Sequence, residues 1–261
     1  MPDSQQLLDF AVLTAHEAGR LSLAYFQTSA GHELKADDTP VTLADRKVEE
    51  FIRRRIEARY PDHDVIGEEF GTRDSGAGFK WYVDPIDGTK AFMRGVPLYA
   101  VLMALEIDGE VEIGAAYFPA LDELIAAASG LGCHWNGRPA RVSDAASLAS
   151  GLVAFTDVAS FALHGKEAAF ARLCGRAYDR RGWSDAYGHA LVATGRAEVM
   201  CDPVLSPWDA GPFPVILREA GGYFGDWTGR ETIHAGEGLS TTRALLPEVL
   251  ALVGEAGPSS S

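Results

Sequence analysis

Residues 81–92 read WYVDPIDGTKAF, an apolar run that ends in two aspartates three positions apart, Asp84 and Asp87. Pro85 fixes its backbone and cannot donate a hydrogen bond, and Gly88 tolerates backbone angles closed to other residues, so a strand should end here in a sharp turn. From Thr89 the chain should start a short helix. The two carboxylates have two explanations. As solvated turn residues they need no partner. Held close together, they raise each other's pKa and oppose folding unless a cation sits between them. Free N–H groups at the start of the following helix would hold a phosphate beside that cation.

Upstream, Leu7, Ala11, Ala15, Ala18 and Leu21 recur at helical spacing and predict a helix from Gln5 to about Gln27. Val48, Phe51, Ile52 and Ile56 predict a second from about Leu43 to Tyr60, stopped by Pro61. The stretch between them, GHELKADDTPVT (31–42), is polar and expected to be flexible. The period then changes. DVI (64–66) and KWYV (80–83) read as short buried strands that end in acidic residues, and residues 100–118 as two strands joined by Asp108-Gly109. Asn136-Gly137 marks a further turn. Beyond about residue 145, strand and helix alternate: GLVAF (151–155), helices near 165–174 and 184–194, AEVMC (197–201), and a helix ending at Gly221-Gly222. This pattern predicts an α+β half (residues 1–143), then an α/β half (144–256), with helices layered on sheets and a disordered tail at 257–261.

Composition narrows the function. A formal charge of -14 at pH 7 repels a phosphate backbone, so nucleic acid is not an expected partner. No apolar run nears the roughly 20 residues of a bilayer span and the first residues carry no secretory pattern, so a cytoplasmic protein with no membrane partner is expected. Neither the three cysteines nor the seven histidines have metal-ligand spacing, which disfavours zinc. Carboxylates remain: Glu68 and Glu69 after one strand, Asp84 and Asp87 after another, and Asp209 at the start of a late helix. Oxygen donors of this kind suit Mg²⁺, which keeps several waters and favours phosphate-bearing substrates.

GEEFG (67–71), DPIDGTKAF (84–92) and PWDAGPFPVILREAGG (207–222), in this order and spacing, resemble the inositol monophosphatase superfamily of Mg²⁺-dependent phosphatases over nearly the whole chain. The segment DRRGWSDAYGHALVATGRAEVMCDP (179–203) is most similar to the histidinol-phosphatase branch. The resemblance implies a layered αβαβα sandwich. Residue by residue, it implies that Glu68, Asp84 and the carbonyl of Ile86 hold a first Mg²⁺, and that Asp84 is shared with a second held also by Asp87 and Asp209. Lys35 would lie in a loop that closes over a third ion. Thr89 and Asp45 would activate the attacking water, Glu69 would help orient it, and Asp87, Gly88 and Thr89 would contact the substrate phosphate.

Asp202 and Asp185 occupy positions that the family points into its pocket. Two aspartates there would favour a substrate with a cationic amine and an imidazole opposite its phosphate over a neutral polyol, with Arg181 and His189 as companions. The expected reaction is metal-assisted, in-line hydrolysis of a small phosphate monoester, histidinol phosphate, in histidine biosynthesis. The alternative is an inositol-1-phosphate or broad sugar-phosphate phosphatase. Similar proteins are commonly dimers, and a homodimer is expected on that basis. Pro212 and Pro214 depart from the family pattern, and Pro214 puts the start or straightness of the helix after Asp209 in question.

Overall fold

The structure is a computed structural model that describes residues 3–28, 32–34, 40–73, 75–76 and 78–254. The first helical stripe forms α1 (Ser4–Leu23), whose N-cap Asp3 accepts a hydrogen bond from the Gln6 N–H. An antiparallel ribbon of β1 (His32–Leu34) and β2 (Pro40–Thr42) leads to α2 (Leu43–Arg59), so part of the stretch expected to be flexible is paired backbone.

Next come β3 (Asp64–Gly67), β4 (Gly71–Arg73), β5 (Phe79–Asp87), the short helix α3 (Thr89–Met93), β6 (Ala100–Ile107), β7 (Glu110–Phe118), β8 (Glu123–Ala128), β9 (Gly132–Trp135) and β10 (Arg138–Pro139). The eight strands form one sheet in the order β10-β9-β8-β7-β6-β5-β3-β4, antiparallel except for the β3–β5 pair. Asp108 and Gly109, both at positive φ, turn the β6–β7 hairpin as their sequence predicts. The remaining elements are β11 (Leu152–Phe155), α4 (Val158–Leu163), α5 (Glu167–Arg176), β12 (Asp179–Arg181), α6 (Asp185–Ala193), β13 (Val199–Asp202), α7 (Pro207–Ala210), α8 (Phe213–Glu219), β14 (Gly222–Gly225), β15 (Gly238–Thr242) and α9 (Leu246–Gly254). They contribute a second sheet, β12-β11-β13-β15-β14.

Strand alternation stacks these pieces. Val101, Met103 and Leu105 of β6 pack with Ala11, Ala15, Val48 and Ile52 of α1 and α2. The intervening Ala100, Leu102 and Ala104 point the other way, onto Ala190 of α6, Phe213 and Ile216 of α8, and Met200 and Phe224 of the second sheet. That sheet's other face, with Val153, Val199 and Leu239, covers Leu173 of α5 and Val249 of α9. The result is five layers, α1/α2, sheet, α6/α8, sheet, α5/α9, the αβαβα sandwich. The division expected at residue 143 falls in the link between the two sheets. Among the described residues, no helix is long and apolar enough to cross a membrane.

Two departures from the sequence reading position the site. β5 does not stop at the first aspartate but continues through Asp84-Pro85-Ile86-Asp87. The expected single helix after Asp209 is two, α7 and α8. Pro212 is the N-cap of α8 and Pro214 lies in its first turn, where no N–H is required. The break seats backbone directly on the large sheet: a Cβ at Gly114 would lie 2.4 Å from the Pro212 carbonyl oxygen and 2.9 Å from Val215 Cγ1. Gly114→Ala is therefore expected to cost about 1–3 kcal/mol by overpacking, read as a lower urea midpoint. An unchanged midpoint would contradict this packing.

Candidate active site

Residues three apart on a regular strand face opposite sides of the sheet. Asp84 and Asp87 do not, because β5 carries a bulge: Asp84 pairs with Leu102 and Asp87 with Ala100, so three steps on β5 match two on β6. The extra residue returns both carboxylates to one face. Asp84 Oδ1 accepts the Ile86 N–H at 2.9 Å, tying the bulge to the first aspartate. Gly88 then turns the chain at φ 77°, and a Cβ there would lie 3.2 Å from Asp185 Oδ2. Asp209 arrives from the second half of the chain on α7, fixed by a capping box in which the Ser206 N–H donates to Asp209 Oδ2 at 3.0 Å.

One carboxylate oxygen from each of Asp84, Asp87 and Asp209 lies within 4.8 Å of the others. Asp84 and Asp87 are buried, and among the described residues no lysine or arginine pairs with any of the three. Burial first, then the charges of Glu68 and Asp209, push the Asp84 carboxyl well above its ordinary range. Burial and Asp185 do the same to Asp87. Asp209 is pushed up to about 7, chiefly by burial. Three uncompensated carboxylates, two buried and the third half-buried, offer only oxygen donors and fit a hard divalent cation such as Mg²⁺. Asp84, Asp87, Asp209, Glu68 and the Ile86 carbonyl are the groups that could hold it.

The surrounding residues order this cluster. Glu68 follows β3 and lines the cleft. The loop it begins is held by Glu49, fully buried on α2, whose carboxylate accepts the Glu69 N–H at 2.7 Å and the Phe70 N–H at 3.2 Å and pairs with Arg53. Glu69 is half-buried beside Glu68 and does not line the cleft. Thr89 Oγ1 donates to the Ile86 carbonyl at 3.1 Å, with buried Asp45 Oδ1 at 3.5 Å. Lys35 lies outside the described residues.

A cleft of about 760 Å³ opens over the cluster, with Lys90, Arg94, Thr156 and Trp208 in its walls, and continues into a recess of about 200 Å³ that reaches Asp202, Ser160 and Val204. Asp185 faces both. Its backbone is left-handed, φ 55°, and is held there by two hydrogen bonds. The Asp185 N–H donates to Thr156 Oγ1, and the next N–H, of Ala186, donates to Asp87 Oδ2, each at 2.9 Å. The segment that would select substrate is thus tied directly to the acidic cluster. Burial and then Asp202 push Asp185 up to about 6.

Two expected companions lie elsewhere. The half-exposed Arg181 side chain pairs with Asp179 on β12 and lines neither cavity. His189 is 1% exposed and lies behind Asp202, not in the cleft. Sequence reading missed Glu49 and Thr156. Glu49 left a signal, since Asp45 and Glu49 interrupt the apolar stripe of α2 at i, i+4 spacing where a solvated acid does not belong. Thr156 left none.

In the fold Asp209 and Asp185 hold protons up to about 7 and 6, which the unfolded chain releases near 3.8. The folded state binds more protons across that interval, so their contribution is full below about 4 and lost as pH rises to 7. Metal-free protein is therefore expected to melt higher at pH 6 than at pH 8, with the difference reduced in Asp209→Asn. Equal reduction in a surface control such as Glu110→Gln would assign the effect elsewhere.

Comparison with known proteins agrees with this geometry. The inositol monophosphatase family model matches residues 3–257. A histidinol-phosphatase of Chlorobaculum parvum is 45% identical over 95% of this chain and 96% of its own. One of Mycobacterium tuberculosis is 38% identical over 84% of this chain and 86% of its own. The solved inositol monophosphatase of Anabaena superposes with a TM-score of 0.86 at 28% identity, covering 98% of each chain. The fold, the acidic cluster and these matches together place the chain in the inositol monophosphatase family, as a phosphoric monoester hydrolase.

Proposed function

We propose that the chain is a Mg²⁺-dependent histidinol-phosphate phosphatase, releasing histidinol and inorganic phosphate. The observation that carries this is the charge of the far end of the cleft. Asp185 and Asp202, both largely buried, stand beyond the acidic cluster, where a substrate's alcohol portion would lie once its phosphate sits at Asp84, Asp87 and Asp209. A cationic amine and an imidazole compensate that charge, and a neutral polyol leaves it uncompensated. The histidinol-phosphatase names of the two relatives support the same substrate.

Bound Mg²⁺ would neutralise phosphate charge and make a water molecule acidic enough to attack in line. The chain's own residues do the rest. The Thr89 hydroxyl donates to the Ile86 carbonyl at 3.1 Å and has Asp45 Oδ1 at 3.5 Å as a second acceptor, so it can turn its proton toward Asp45. Its oxygen can then accept a proton from water. Glu49 fixes the backbone that presents Glu68, and the N–H groups at Gly88 and Thr89 would face a bound phosphate. Ala186 holds Asp87 in register with the substrate-selecting turn.

Phosphate release from histidinol phosphate after exhaustive EDTA treatment tests the metal requirement. Activity should vanish and return with millimolar Mg²⁺, while full turnover without added metal would refute it. Mg²⁺ should also raise the melting temperature, more at pH 8 than at pH 6, because binding must displace protons from the raised carboxyls.

A further inference from the structure

The mechanism uses neither of the buried histidines His63 and His189, and the second lies against a residue of the recess. His189 lies on α6, Asp202 ends β13 and Ser240 sits in the middle of β15; all three are buried. His189 Nδ1 meets Ser240 Oγ at 2.7 Å, and Nε2 meets Asp202 Oδ2 at 3.1 Å. The imidazole is packed against the rings of Phe213, centroids 4.8 Å apart, and Phe224, 5.3 Å, so it cannot swing toward solvent. Hydrogen-bond directions are consistent along the chain: the Ser240 hydroxyl donates to Nδ1, which leaves the proton on Nε2 to donate to the carboxylate. Asp202 Oδ1 accepts nothing from the described residues, and Asp202 lines the recess.

We propose that His189 is a positioning residue for substrate selection: it fixes one oxygen of Asp202 from behind, so that the other is presented to the cationic end of the substrate, and Ser240 sets the tautomer that makes this possible. This rests on the substrate proposed above. A carboxylate 3% exposed, with no donor behind it, would leave a buried oxygen unsatisfied and turn away from the recess, and its contact with a cation would go with it. In a family whose members act on different phosphate esters, such support from the core adjusts selectivity without touching the acidic cluster.

The test compares kcat/KM for histidinol phosphate and for a monoester of an uncharged alcohol, β-glycerophosphate, in the Mg²⁺-loaded enzyme. His189→Phe keeps the aromatic packing and removes the donor. It should lower the ratio of the two by about tenfold, through KM more than kcat, as loss of a hydrogen bond to a charged group does. Ser240→Ala, a smaller change that spares the fold, should lower it by about threefold. In an Asp202→Asn background neither substitution should lower the ratio further. Parallel losses on both substrates, or full additivity with Asp202→Asn, would overturn the proposal. Should wild type show no preference for histidinol phosphate, the substrate assignment fails, and ¹⁵N spectra of the His189 ring decide the positioning role separately. A protonated Nε2 whose signal shifts in Ser240→Ala supports it, and an unprotonated Nε2 overturns it.

Discussion

Asp84→Asn is expected to remove more than about a hundredfold of kcat/KM at saturating Mg²⁺, beyond the 10–100-fold typical for groups that only support a metal ligand. The side chain keeps its size, and its amide oxygen can still accept the Ile86 N–H, so the bulge should survive. What is lost is the charge at the centre of the cluster. Glu68, Asp209 and Asp87 all act on the Asp84 carboxyl, so it holds the central, shared position among them. Asp87 has Asp185 and Asp209 as its strongest charged neighbours and a backbone N–H on one oxygen. Asp87→Asn should therefore cost less, by about tenfold. Metal-free Asp84→Asn should melt higher than metal-free wild type, since one buried like charge is gone. Losses equal to or smaller than those of Asp87→Asn would contradict the shared position.

Asp185→Asn should change selectivity. Asparagine tolerates the left-handed backbone that Asp185 adopts and keeps the N–H to Thr156, so the turn is preserved while the charge is removed. A charge-assisted contact to a substrate amine or imidazole is worth about 1.5–3 kcal/mol. The ratio of kcat/KM on histidinol phosphate to that on a neutral monoester should fall by about ten- to a hundredfold. A helix-capping role predicts instead lower thermal stability with equal proportional losses on both substrates. The structure gives that role little support, because among the described residues no backbone N–H of α6 donates to the Asp185 carboxylate. Parallel losses would remove the reason for preferring histidinol phosphate.

The acidic cluster of Asp84, Asp87 and Asp209 is legible in the sequence because these residues lie in short dense motifs, one of them closed by Gly88 at positive φ. The layer order is legible too, since apolar stripes at helical and strand spacing name their own buried faces. What brings Asp84 and Asp87 onto one face is not: a bulge depends on how β5 registers with β6, a pairing that no local pattern states. Long-range contacts account for the other failures. Thr156 meets Asp185 across 29 residues, and Ser240 meets His189 across 51. A histidine on a helix face reads the same whether it points into a cleft or, as His189 does, into the core behind one. Arg181 read as a cleft residue from its place in the motif, but β12 turns it toward Asp179. Pro212 and Pro214, which seemed to threaten one helix, instead mark the junction between two.

The acidic far end of the cleft is what would make this enzyme a phosphatase for a cationic alcohol. Initial rates of phosphate release by the Mg²⁺-loaded protein, measured side by side on histidinol phosphate, inositol-1-phosphate and fructose-1,6-bisphosphate, test it most directly. kcat/KM for histidinol phosphate should lie at least about a hundredfold above that for either neutral-polyol ester, from two charge-assisted contacts. Equal or greater efficiency on inositol-1-phosphate would contradict it.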